Sequence, residues 1–197
     1  GQPVKAPWVI PVAMGLLGAD GRELPLQLAG EAAAAGTQRL LVLDQAEATF
    51  VFTGLNGLDA APVPSLLRGF SAPVVLDDGL DEAALLTLLR HDVDPFNRWE
   101  AAQRLALARL TAAAREGREA PLDAAFAGAM RAILSDAGLD AAFKELVLTL
   151  PSATVVAETL GADIDPQRIH VARESLRAAL ARELRAEWEA VFESLQD

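Results

Sequence analysis

The residues able to carry chemistry in this chain are few, and their spacing does not suit catalysis. The two histidines, His91 and His170, lie 79 positions apart, and there is no cysteine. No H-E-x-x-H pair of helical ligands can form, whereas a catalytic zinc takes three protein ligands in a fixed shell. His91 stands beside Asp92 and Asp94 at the expected end of a helix, where an imidazolium favours the C-terminal dipole. His170 falls in the first turn of a later helix, facing solvent or packed. Ser65, Ser71, Ser135, Ser152, Ser175 and Ser194 all stand outside any G-x-S-x-G elbow. Gly54-Leu55-Asn56-Gly57 is too short for a phosphate loop and reads as a turn. The carboxylate pairs Asp77-Asp78 and Asp92-Asp94 read as solvated surface. No position is therefore assigned a catalytic, cofactor-binding or metal-ligating role.

The elements that would hold any site divide near residue 79. Residues 1–79 hold 10 of the 14 glycines and 7 of the 11 prolines, whereas residues 80–197 carry 27 alanines. Glycine and proline punctuate turns and alanine favours helix, so a β domain at 1–79 and an α domain at 80–197 are expected. Asp77-Asp78-Gly79 marks the turn between them, and each half has its own apolar set.

In the first half Trp8, Ile10, Val12, Met14 and Leu16 alternate along one strand face. Asp20-Gly21 is a hairpin signal, and Leu24, Leu26 and Leu28 alternate back, with Pro25 marking an edge strand. Glu31 to Gly36 reads as a loop. Arg39–Leu43 and Ala48–Thr53 read as a second pair of strands. Short strands at this spacing predict a small β-sandwich.

The second half has readable helix starts and stops. Asp81 caps a helix to about Arg90. Asp94-Pro95 opens another to Glu116, with Gly117 as its stop and Phe96, Trp99, Ala102, Ala106, Leu110 and Ala113 as its buried stripe. Pro121 opens a helix toward Ser135, and shorter helices follow at about 140–149 and 152–160. Asp165-Pro166 opens one long final helix to about Leu195, so the half reads as a solenoid-like bundle. Ile169, Ala172, Leu176, Leu180, Leu184, Trp188, Val191 and Leu195 line one side of that helix. This stripe predicts either self-association as a homodimer, with Leu184 and Trp188 exposed, or folding back onto the chain's own helices.

Charge and composition exclude several classes. A formal net charge of −11 argues against nucleic-acid binding. No apolar run approaches the roughly 20 residues that cross a bilayer. Gly1-Gln2-Pro3-Val4-Lys5 lacks signal-peptide order, and the missing initiator methionine suggests an excised piece with Gly1 left by tag removal. Absence of cysteine fits a reducing compartment, so a cytoplasmic location is expected.

Two stretches are specific enough to suggest a family. One is Pro62-Val63-Pro64-Ser65-Leu66-Leu67-Arg68-Gly69-Phe70-Ser71-Ala72-Pro73-Val74. The other is His91-Asp92-Val93-Asp94-Pro95-Phe96-Asn97-Arg98-Trp99-Glu100-Ala101-Ala102-Gln103. Both resemble the segment that follows the catalytic domain in bacterial aminopeptidase N, the zinc-dependent gluzincin alanyl aminopeptidase family. Ile10 to Leu17, Thr49-Phe50-Val51-Phe52 and Leu148-Thr149-Leu150-Pro151-Ser152 match in the same order.

The resemblance implies an Ig-like β-sandwich followed by the start of a large helical domain. It further implies a parent that binds zinc and removes N-terminal residues from peptides, with these domains supporting and covering the active site. The partners implied are the parent's own catalytic domain and its peptide substrates. None of the family's catalytic or zinc-binding residues has a counterpart in this chain. An independent protein-binding module, or a structural spacer, is the competing reading. Arg68 is expected either to grip a carboxylate of a neighbouring domain in bidentate fashion or to form a local loop salt bridge. Trp99 is expected in the core and Arg98 at the surface.

Overall fold

A computed structural model describes residues 7–162 and 164–195. The expectations placed on Gly1 to Lys5 lie outside the described residues. The chain forms two compact units, one ending at Asn97 and the other starting at Arg98.

In the first unit, strands β1 (Ile10–Leu17), β2 (Gln27–Leu28), β3 (Gln38–Leu43), β4 (Phe52–Thr53) and β5 (Val63–Ser65) form two sheets. One has the order β3-β1-β5 and the other pairs β2 with β4, all antiparallel. Alternation on β1 sends Met14 and Leu16 into a core with Leu26 and Leu41, and Val12, Leu24, Leu28, Phe50, Phe52, Leu55 and Leu66 pack around them. Two facing sheets closing over one apolar set make a sandwich. The turn at Asp20-Gly21 forms as expected, with Gly21 at φ 80° and its N–H bonded to Gly18 O.

Three details depart from the sequence reading. Trp8 lies before β1 and is 82% exposed, so it is not part of the buried face. The strands at 38–43 and 52–53 do not pair with each other; β3 adds to β1 and β4 to β2. Pro25 explains part of this exchange. Leu24 N still bonds Leu16 O, but Pro25 has no N–H with which to extend the ladder. Beyond it the chain leaves β1, and Gln27–Leu28 joins β4 in the second sheet. Strand β5, which the sequence reading did not identify, flanks β1 with Pro64 opposite Leu16.

Helix α1 (Glu82–His91) follows, capped by Asp81, whose carboxylate accepts from Ala84 N. Helix α2 (Pro95–Glu116) starts inside the first unit, and most of its length lies in the second. Asp94 Oδ1 accepts from Asn97 N at its start, and Gly117, at φ 64°, ends it.

The second unit continues with α3 (Ala124–Ser135), α4 (Ala141–Leu148), α5 (Ala153–Leu160), α6 (Pro166–Glu183) and α7 (Arg185–Ser194). Ala102, Ala106, Leu110 and Ala113 of α2 are buried as expected, together with Phe126, Met130, Ile133 and Leu134 of α3. Trp99 is only half-buried, and Arg98 is half-buried with its guanidinium 5.9 Å from the Phe143 ring centroid.

Helix α3 starts at Ala124 and not at Pro121, because Asp123 supplies the cap through a bond from Phe126 N. Burial raises the Asp123 carboxyl pKa, but the Phe126 N–H and then the Arg109 guanidinium outweigh it and hold the group below its ordinary value of 3.8. A folded-state pKa below the unfolded one stabilises fully above the unfolded value and is lost as pH falls through the folded one. Asp123→Asn keeps a capping side chain but removes the charge. It is expected to cost up to about 1 kcal/mol at pH 7. In urea unfolding at stepped pH, its difference from the parent should close toward zero as pH falls through the folded-state value, below the free carboxylate range.

The expected single last helix is interrupted at Leu184, which has φ −106° and ψ 23°. No proline causes this. Arg131, on α3, donates to the Glu183 carbonyl at 3.2 Å and to the Glu183 and Glu187 carboxylates, taking an oxygen from the helical ladder. Leu184 is fully buried at the break, with Ile169, Ala172, Leu176 and Leu180 below it. The stripe along α6 therefore packs within the chain. Leu184 is not exposed, as the fold-back alternative expects and the self-association alternative does not, and Trp188, Phe192 and Leu195 of the terminal segment carry the remaining apolar exposure.

Candidate functional site

The densest polar constellation among the described residues is built around Arg68. Its backbone lies in a 3-10 turn (Arg68–Phe70) just after β5, and its side chain is 1% exposed. Nε donates to Ser65 Oγ at 2.7 Å, Nη1 to Glu23 Oε1 at 2.6 Å and Nη2 to Asp92 Oδ1 at 3.2 Å. Ser65 ends β5, Glu23 lies in the bridge to β1, and Asp92 caps the C-terminus of α1 with its N–H on Leu88 O. Asn97 completes the group from the first turn of α2, its Nδ2 donating to Ser65 Oγ at 2.9 Å and Leu66 O at 3.0 Å.

Local backbone geometry makes room for this arrangement. Gly15 sits opposite Ser65 in the β1–β5 register, and a β-carbon there would overlap the Arg68 guanidinium. Leu67 and Phe70 adopt left-handed φ values of 56° and 54°, which cost a residue with a side chain roughly 1–2 kcal/mol each. The turn is tied on both flanks: Gly69 N donates to Asp94 Oδ2 at 2.8 Å, and Ser71 Oγ accepts from Ala13 N at 2.9 Å.

The electrostatics describe a clamp and not a catalytic centre. One guanidinium serves two carboxylates, Glu23 and Asp92, and Asp94 adds a third at the turn. Asp92 Oδ2 is buried with no hydrogen-bond partner. Ser65 Oγ accepts from both Arg68 and Asn97 and is wholly buried, so no general base is placed to activate it. The sequence expectations for Arg68 hold only in part: Asp92 lies past residue 79, in the segment read as the neighbouring helical domain, but the grip is not bidentate. Arg68 grips two different carboxylates, 45 and 24 positions away, inside one compact unit, instead of a single one in bidentate fashion or across a local loop.

Asp92 and Asp94, read as solvated surface, are drawn to this hub. The partners Glu23, Ser65 and Asn97 were not anticipated, although Ser65 and Asn97 lie inside the two family-like stretches.

The other sequence candidates do not assemble. His91 ends α1 and lies against Gly21, and His170 is exposed on α6. Asp77 is exposed, and Asp78 Oδ1 caps Leu80 N. Gly54 and Gly57 take φ 75° and 80° in a loop and turn, as read. A cleft of about 470 Å3 beside β5 and the start of α1 is lined mainly by Ala, Pro and Val, with Asp81 engaged in capping. Among the described residues, no group of three or more His, Asp or Glu side chains could hold a metal ion, so zinc does not fit these residues. No helix among them is long and apolar enough to cross a membrane.

Comparison with known proteins matches the chain in two pieces that divide near residue 80, ahead of the boundary between the compact units. Residues 1–79 match the domain of unknown function DUF3458, described as an Ig-like fold, and residues 82–197 match DUF3458_C, described as ARM repeats. Aminopeptidase N of Escherichia coli K12 is 38% identical over 97% of this chain, and that of Caulobacter vibrioides is 38% identical over 86%. Aminopeptidase N of Haemophilus influenzae is 32% identical over 93%. A crystal structure of Legionella pneumophila aminopeptidase A in complex with aspartic acid superposes with TM-score 0.72 at 30% identity over 95% of this chain. The chain spans only about a fifth of each of these relatives, 21%, 18%, 20% and 20% respectively. It belongs to the DUF3458 family, as an Ig-like domain followed by an ARM-repeat helical domain homologous to one segment of aminopeptidase N.

Proposed function

We propose that the chain is a non-catalytic portion of a zinc metallo-aminopeptidase that removes N-terminal amino acids from peptides. The observation that carries this reading is 38% identity to an aminopeptidase N across 97% of the chain but only 21% of that relative. Residues 1–79 and 80–197 are taken as its Ig-like and helical domains. Both act by support and coverage, restricting entry and excluding water, without making bonds. Zinc and the peptide belong to the rest of the polypeptide. No step is assigned to zinc on this chain, whose described residues hold no group of three donors for it. The partners are that catalytic portion and, through it, peptide substrates; nucleic acid and membrane are not partners. The cytoplasm is the proposed location, in keeping with a chain free of cysteine.

The reading is tested at two levels. Purified residues 1–197 should bind no stoichiometric zinc and hydrolyse no alanyl anilide above blank; chelator-sensitive turnover that survives repurification would overturn it. The gene should carry H-E-x-x-H upstream in the same frame, and a stop codon just before Gly1 sinks the proposal.

Self-association of the isolated chain through Trp188, Phe192 and Leu195 is proposed as a side effect of isolation. Light scattering at high protein concentration should report a dimer that Trp188→Glu dissociates; a strict monomer refutes it.

A further inference from the structure

The Arg68 hub presents one side chain outward. Phe70 is 68% exposed, although it is a large aromatic held in a left-handed conformation. Arg68 before it is locked by Ser65, Glu23 and Asp92, and Ser71 after it is bonded to Ala13. The Phe96 ring lies behind it, with centroids 4.2 Å apart and planes at 49°. Val93, next to the Asp94 that holds Gly69, is 60% exposed. A rigid aromatic projecting from a strained, fully tied turn has prepaid the ordering cost of binding, and such residues dominate interface energetics. Among the described residues of the first unit, none covers the ring's outer face.

We propose that Phe70, with exposed Val93 of the neighbouring segment, is the anchor by which this unit docks on the catalytic portion of the same polypeptide, in an apolar pocket. This rests on the reading that the chain is part of an aminopeptidase. The occupant follows from length. The matched relatives are about five times longer than this chain, so most of such a polypeptide lies outside the described residues.

The test uses the whole polypeptide with a photo-activatable benzoylphenylalanine at position 70. Mass spectrometry should find cross-links to residues upstream of Gly1, well above those from the same probe at exposed Val51. Cross-links confined to residues 1–197, cross-links to a second copy, or none above that background would each overturn the proposal. A variant guards against trivial unfolding. Phe70→Gly removes the ring but suits the left-handed backbone, so hydrogen exchange at the hub should stay as in the parent. Proteolytic release of this portion from the whole polypeptide should nevertheless accelerate roughly tenfold or more. An unchanged release rate refutes the anchor. Neither readout depends on peptidase activity, and an upstream sequence without H-E-x-x-H would remove the aminopeptidase reading while the cross-link still reported on docking.

Discussion

Arg68→Ala is expected to destabilise the first unit by about 3–5 kcal/mol, the cost of breaking a buried ion pair by removing one member. The substitution leaves Glu23 and Asp92 as carboxylates without their cation, and Asp92 already has one oxygen unpartnered. It also frees Ser65 from one of its two donors and opens a void over Gly15. Urea unfolding followed in segments from β1, β5 and α1 by hydrogen exchange should register the loss. A shift under about 1 kcal/mol would mean that water replaces the guanidinium without penalty. A companion variant separates charge from shape. Changing Arg68 to Met together with Glu23→Gln and Asp92→Asn removes the charges as a set and should recover much of the loss, because isosteric replacement of a buried ionic group is often close to neutral.

The second large effect is expected in the helical unit. Phe126 has no exposed surface in α3, and the Arg109 guanidinium lies 4.6 Å from its ring centroid. Phe126→Ala should cost about 3–5 kcal/mol through lost transfer energy and the cavity left behind. Arg109 is tethered to Asp123 and Leu105 O and cannot fill that space. Phe126→Leu retains most of the volume and should cost less than half as much. Equal losses for the two variants would show that the ring contact with Arg109, and not the volume, carries the energy. Since whole domains are stable by only about 5–15 kcal/mol, the alanine variant takes a large share of that margin.

What was legible in the sequence was local. Alternation on β1, the Asp20-Gly21 turn and the caps at Asp81, Asp94, Ser152 and Asp165 each depend on neighbours a few residues away, and each lies where the sequence puts it. The two classes, a β-sandwich and then a solenoid-like helical domain, were legible for the same reason, and the Ig-like assignment came from the family resemblance.

The misses depend on partners far along the chain. Strand pairing turned on Pro25, which redirects its segment from one sheet to the other. The break at Leu184 is made by Arg131, 52 positions before the carbonyl it takes. The hub gathers residues 23, 65, 68, 92 and 97, and only the arginine was expected to form an ion pair, without these partners being named for it. Ser65 and Arg68 three apart, followed later by Asp92 and Asn97, form a polar set inside the two family-like stretches. That was the available signal, but spacing alone does not say which of them meet.

Strand β5 has a consequence for how this molecule avoids aggregation. Leu16 turns its carbonyl toward Leu24, so the Leu16–Pro64 pair is the type without mutual hydrogen bonds, and Pro64 directs its nitrogen outward. Pro62, two residues earlier, has the same outward phase. At both positions the rim of the sheet offers no N–H to an incoming strand. A newly made or partly opened chain therefore cannot use this rim to template a neighbour, which guards against intermolecular sheet growth while the domain is still assembling.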